Sequence, residues 1–280
     1  METVSHILQI LDYKIEAPVN YGWFHIMWLV LMIAAAILLC LWHKHSGTQS
    51  RVRKVVLITA ITVTVLEVYK MINYNLNYDD GVYWDFEWYA FPWQFCSTPM
   101  FVGLLAGMIR KGKVHEALCA YLATFALFAG LCVSVYPGEV FVRTLGINIQ
   151  TMICHGSMVS IGIYLLYSGY VKTEIKTVIK AIPVFAACVI IAMVLNEVVY
   201  YSGVLNLPDG DMETFNMFFI SRHFECTLPV YSLVHNAVPF PVNLIIYIVG
   251  FSLASFVIML IAMGIRKLGE KGIKKEKVVG

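Results

Sequence analysis

Cys96 and His155 are the residue types that carry covalent catalysis in this chain. A thiol attacks as its thiolate, and an imidazole nearby can take the proton. Glu67, Lys70, Asn196 and Glu197 also fall inside otherwise apolar stretches. Ionisable groups are costly in a bilayer and face a bundle interior or a water-filled cavity. Several of them at one depth point to a site.

Cys96 belongs to Phe91-Pro92-Trp93-Gln94-Phe95-Cys96-Ser97-Thr98-Pro99. Pro99 lacks a backbone donor and is expected to free a carbonyl one turn back, loosening a helix beside Cys96. Gln94, Ser97 and Thr98 crowd polar groups into the same turn. Gly103 and Gly107 give a small face that allows close helix packing. The plain alternative is a small core cysteine. His155 stands at i+7 from Asn148 and i+4 from Thr151, so the three share a helix face that Val159 and Gly162 continue. A histidine bonded to a neighbouring carbonyl is the plain alternative there. Glu67 and Lys70, three apart, suit an ion pair. Glu67 could also orient His155, and Lys70 could bind a lipid phosphate. Gln94, Ser97 and Asn196 are candidate oxyanion donors. Arg222 and His223 are candidate headgroup contacts.

The elements that position these residues follow from composition. The 280 residues are 59% hydrophobic and only 14% charged, with mean hydropathy +0.73. A soluble domain carries about a quarter charged residues, so the solvent is a bilayer. Seven apolar runs are expected as transmembrane helices over 23–42, 55–72, 89–109, 117–137, 148–170, 178–201 and 241–263, each near the ~20 residues that a span needs. The fold class is therefore all-α: one membrane domain over 1–280, with seven helices. Lys44, Arg51, Arg53 and Lys54, then Arg110, Lys111 and Lys113, then Lys172, Lys176 and Lys180, and finally Arg266, Lys267, Lys271, Lys274, Lys275 and Lys277 mark alternate loops as cytosolic. Asp79, Asp80, Asp85, Glu87, Glu139, Asp209, Asp211, Glu213 and Glu225 mark the others as outer. The N-terminus is expected outside, the C-terminus in the cytosol, and the polar cluster near the outer ends, in the cell membrane.

The outer connection 202–240 is unusually apolar. Pro229, Pro239 and Pro241 argue against one continuous span, and a re-entrant or interfacial segment fits better. The seven cysteines, six of them in apolar runs, form no disulfide framework. No close Cys/His cluster suggests zinc, so no metal and no cofactor is expected, and no nucleic acid or protein partner is inferred.

The Pro-x-x-x-Cys-Ser stretch from Pro92 to Ser97 resembles that of the YwaF-like bacterial integral membrane proteins, whose animal relatives form the transmembrane protein 164 family of ether-phospholipid acyltransferases. The Glu67-x-x-Lys70 pair, Pro137, His155 and Val238-Pro239-Phe240-Pro241 are similar too. The resemblance implies Cys96 as nucleophile and His155 as base, with membrane phospholipids as acyl donor and acceptor. The expected activity is that of a membrane lipid acyltransferase or esterase working through an acyl-thioester. The alternative is a transporter or lipid-binding membrane protein with an outward-facing polar site. A retinal photoreceptor would need a Schiff-base lysine in the last span, and residues 241–265 hold none.

Overall fold

The computed structural model describes residues 9–46, 48–78, 81–138, 140–208, 210–235 and 237–279. Asp79, Asp80, Glu139 and Asp209 of the acidic loops lie outside the described residues, as do the side chains of Lys271, Lys274, Lys275 and Lys277. The described chain is mostly helical, with one short antiparallel pair, β1 (Leu76–Asn77) and β2 (Tyr83–Trp84). Among the described residues six helices are long and apolar enough to cross a membrane: α1 (Trp23–Ser46), α2 (Gln49–Asn75), α4 (Lys113–Val135), α5 (Leu145–Tyr167), α6 (Ile175–Ser202) and α7 (Phe240–Val279). Their outward faces carry exposed Ile, Leu and Val side chains, as a hydrocarbon solvent requires.

The third expected span is the exception. Residues 89–109 do not form one helix. A 3-10 turn over Trp88–Ala90 leads through irregular backbone to α3 (Thr98–Met108), only 11 residues long. At ~1.5 Å per residue it covers about half of a ~30 Å hydrocarbon core. Two prolines explain the break. Pro92 disfavours helix in its predecessor. Pro99 does not loosen a helix from within but opens one, in the first turn where its missing N–H is not needed. Cys96 therefore sits in the turn that starts a half-helix.

Close approach sets the packing around this half-helix. A Cβ on Gly103 would lie 3.0 Å from the Ala60 Cβ, and one on Gly107 only 2.6 Å from the Leu57 Cβ, so α3 lies directly against α2. Gly130 of α4 meets the His155 carbonyl, and Gly162 of α5 meets Leu127. Between them α4 widens into a π turn over Leu122–Ala126, every residue of which is buried. Such turns occur mostly as single insertions, often beside functional sites.

The connection after α6 folds back into the bundle. Gly203, in a left-handed conformation, ends α6. Phe215, Met217, Phe218 and Ile220 are then fully buried. Phe218 and Phe219 hold positive φ, a rare conformation for large side chains. Hydrogen bonds hold them there: Asn196 accepts from the Met217 amide (2.8 Å) and donates to its carbonyl (3.0 Å). Gln94 accepts from the Phe218 amide (3.0 Å) and donates to the Asn216 carbonyl (3.1 Å). Non-helical backbone at this depth is tolerable only when its polar groups are paired in this way.

The ends of the bundle are tied differently. At one end Arg53 donates to the Gly107 carbonyl (2.7 Å) and Lys180 pairs with Glu116 (2.7 Å). At the other, a strap over residues 11–15 crosses from α2 to α5. Tyr69 donates to the Leu11 carbonyl (2.6 Å), and Ile15 donates to that of Arg143 (2.7 Å). Asp12 is its anchor, accepting from Lys14 (2.6 Å), Tyr78 (2.9 Å), Thr144 (3.0 Å) and Asn73 (3.2 Å). Burial alone would push the Asp12 carboxyl up, but these hydrogen bonds outweigh it and hold the group below its ordinary range.

Two outcomes follow. Gly107→Ala forces α3 away from Leu57 and is expected to cost about 1–3 kcal/mol, read as a lower thermal midpoint in detergent; an unchanged midpoint would refute the close approach. Because the Asp12 pKa is depressed, its contribution is complete above the unfolded carboxylate value and lost as pH falls through the lower folded value. Amide exchange of Ile15, corrected for intrinsic rates, should stay slow from neutral pH to about 5 and accelerate below about 4. Asp12→Asn should remove that step.

Candidate functional site

α2, α3 and α5 each contribute to one buried polar network. Glu67 of α2 is 5% exposed. Its Oε1 accepts from Lys70 Nζ (2.6 Å) and from Ser97 Oγ (3.2 Å), and its Oε2 accepts from Gln150 Nε2 (3.1 Å). Gln150 also reaches Cys154 Sγ (3.4 Å). A carboxylate in this setting persists because a cation and two neutral donors satisfy it together. Gln150 and Cys154 belong to the site although neither stood out in the sequence. Gln150 sits off the Asn148–Thr151–His155 face, and only its meeting with Glu67 across two helices reveals it.

Cys96 lies beside this network, at the entry to α3. The Phe95 carbonyl, one residue earlier, accepts from Thr98 Oγ1 (2.9 Å), and that hydroxyl also meets Tyr121 Oη (2.8 Å). The carbonyl that a proline leaves open is thus taken by the threonine next to it. Cys96 and Cys154 both line a cavity of about 40 Å³ between α2, α3, α4 and α5. Val56, Val63, Met100 and Ile161 are among its apolar walls.

His155 is buried one residue beyond Cys154. Its Nδ1 lies 2.7 Å from the Thr151 carbonyl. A carbonyl can only accept, so Nδ1 carries the proton and Nε2 is the basic nitrogen. Thr151 is the group that orients the ring; Glu67 is engaged elsewhere. No hydrogen bond joins His155 to Cys96 among the described residues, and Nε2 has no partner among them. The Lys70 ammonium and the Glu67 carboxylate act on Cys96 through their charges in opposite senses, and Lys70 also acts on His155. The stripe expected on α5 is buried at Asn148, His155, Val159 and Gly162, with Thr151 half-buried.

The remaining candidates serve other ends. Gln94 and Asn196 pin the inserted connection, and Ser97 is bound to Glu67, so in this arrangement none of the three is free to meet an oxyanion. Glu197 binds Arg222 through two contacts (2.6 and 3.1 Å) and lies 3.3 Å from His223, whose ring stacks on Tyr200 at 3.6 Å. Glu197, Arg222 and His223 therefore form a separate cluster. Among the described residues, no three His, Cys, Asp or Glu side chains converge to hold a metal.

The network predicts an asymmetric mutational response. Glu67→Ala leaves Lys70 as an uncompensated cation and is expected to destabilise by about 3–5 kcal/mol. Lys70→Ala combined with Glu67→Ala should cost less than the sum of the two singles in thermal denaturation. Strict additivity would show that the pair is not coupled.

No curated protein and no solved structure matches this chain. A family model, that of the TMEM164 family, matches residues 20–263. That match covers most of the chain and contains Glu67, Lys70, Cys96 and His155, so the protein belongs to the TMEM164 family.

Proposed function

We propose that this protein is a membrane lipid acyltransferase or esterase that forms an acyl-thioester on Cys96, with His155 as proton carrier. The observation that carries the reading is the setting of Cys96. It sits at the start of a half-helix, on the wall of a cavity between four helices, within electrostatic reach of both Lys70 and Glu67. A helix N-terminus and an ammonium both stabilise negative charge as it develops on sulfur or on a carbonyl oxygen. Among the described residues the amides of Phe95 and Cys96 make no hydrogen bond to another backbone group, and they are candidate oxyanion donors.

In this mechanism the His155 ring moves toward the thiol and Nε2 takes the Cys96 proton. The thiolate attacks an ester carbonyl carbon of a phospholipid. The tetrahedral intermediate collapses, the ester C–O bond breaks, and the leaving alkoxide takes the proton back from His155. A lysolipid hydroxyl or water then gives its proton to Nε2 and attacks the thioester, and the Cys96 thiolate leaves and is reprotonated. Loop charge supports an orientation in which the site faces the outer leaflet of the cell membrane. A second reading, a lipid-binding or transport protein with the same polar site, draws on the engagement of Gln94, Ser97 and Asn196 in internal hydrogen bonds.

The test is acyl exchange between labelled phospholipid and lysophospholipid by the purified protein in nanodiscs. Cys96→Ala should abolish exchange, and His155→Ala should lower it by about 10²–10⁴-fold. Both should keep the native circular dichroism spectrum, and Cys226→Ala should leave the rate unchanged. Undiminished exchange in Cys96→Ala would overturn the mechanism. Lipid or solute uptake that survives Cys96→Ser but not Glu67→Gln would favour the second reading.

A further inference from the structure

The cavity beside Cys96 has a direction. α2 and α3 run antiparallel, as do α4 and α5, and each contributes wall residues at matched depths. Val63, Cys96 and Cys154 stand at the end next to Glu67, Lys70 and Gln150; Val56, Leu122 and Ile161 stand at the opposite end. From Cys154 to Ile161 is seven residues of α5, about 10 Å at ~1.5 Å per residue. Over that length the walls are mostly apolar, interrupted by Thr59 and Ser157, whereas the groups above are a carboxylate, an ammonium and an amide. The space is thus amphipathic along its axis, with a thiol at the boundary.

We infer that this shaft is a binding site for the lipid acyl chain, taking the methylenes nearest the ester carbonyl while the carbonyl itself lies at Cys96. The assignment rests on reading the site as lipid-acting and names its hydrocarbon subsite. A volume of about 40 Å³ has room for only a few waters at the ~10–15 Å³ that each needs, so a chain enters only if the wall yields. The wall is built to yield. Met100 and Met158 line it with unbranched, adaptable side chains. Gly103 and Ala60 keep the α2–α3 side thin. The π turn of α4 supplies Leu122 and Ala126 from backbone that is already off the regular helical ladder. Ile161 sets the depth.

Photolabelling tests this directly. Phosphatidylcholine carrying a diazirine on the third or fourth acyl carbon is irradiated with the native protein and with Cys96→Ser in nanodiscs, and labelled peptides are mapped. Label on the α3 and α5 peptides holding Met100 and Met158 is expected in both proteins, reduced at least threefold by Ala126→Phe. Label confined to the outward faces of α1 and α6, unaffected by Ala126→Phe, would overturn the inference. Because Cys96→Ser removes the nucleophile and leaves the shaft, labelling there is independent of whether the acyl-thioester mechanism holds. Should Ala126→Phe fail to fold, Ile161→Ala is the second variant. It deepens the shaft and should raise labelling from a diazirine placed two carbons farther along the chain at least twofold. No change with either probe would equally overturn the proposal.

Discussion

A single buried carboxylate holds the functional region together. Glu67 carries its charge where water is scarce, and it is stable there only while Lys70, Ser97 and Gln150 all address it. Those partners come from three helices, so the need to satisfy one charge fixes how α2, α3 and α5 sit relative to one another. Desolvating ions costs several kcal/mol each, and apolar packing could stabilise the same helices more simply. A charged arrangement in that position makes sense where its field acts on something, and Cys96, Cys154 and His155 are the neighbours it reaches.

The break in the third membrane segment has the same character. A continuous helix over 89–109 would satisfy its own backbone, yet the chain has a turn and an 11-residue half-helix instead. One carbonyl released by this break, that of Phe95, is taken up by the Thr98 side chain, and the Gln94 side chain reaches out to the inserted connection. That connection in turn stacks Phe218 on Phe95, with ring centres 5.5 Å apart. The turn carrying Cys96 is therefore clamped from both sides, by the ion pair through Ser97 and by the aromatic plug through Phe95. Residues that look catalytic by type, Gln94 and Asn196 above all, work in this clamp.

Much of the fold was legible in the chain. Long apolar runs must be helices in a bilayer, because no other local structure satisfies its own backbone there. Among the described residues six helices are long and apolar enough to span. The site was legible in part. Glu67 with Lys70 follows from helical spacing, and the inward stripe through His155 follows from period. Gln150 and Cys154 were not legible, since a glutamine and a cysteine on a helix face acquire meaning only from what the next helix presents. Nor could spacing say that Pro99 opens a helix instead of bending one. A proline in the first turn and one in the interior look alike until the backbone hydrogen bonds are known.

By itself the sequence determined the solvent, the helical class, the family and the chemical character of the candidate groups. These depend on residue type and local period, which survive without knowledge of neighbours. Tertiary structure alone decided that α3 is a half-helix, that Phe215, Met217, Phe218 and Ile220 of the 202–240 connection are buried in the bundle, and that Cys96 and Cys154 line one cavity beside an ion pair. Each of these depends on which side chains from distant segments meet. The bilayer makes such meetings obligatory by leaving no water to satisfy what the chain itself leaves open.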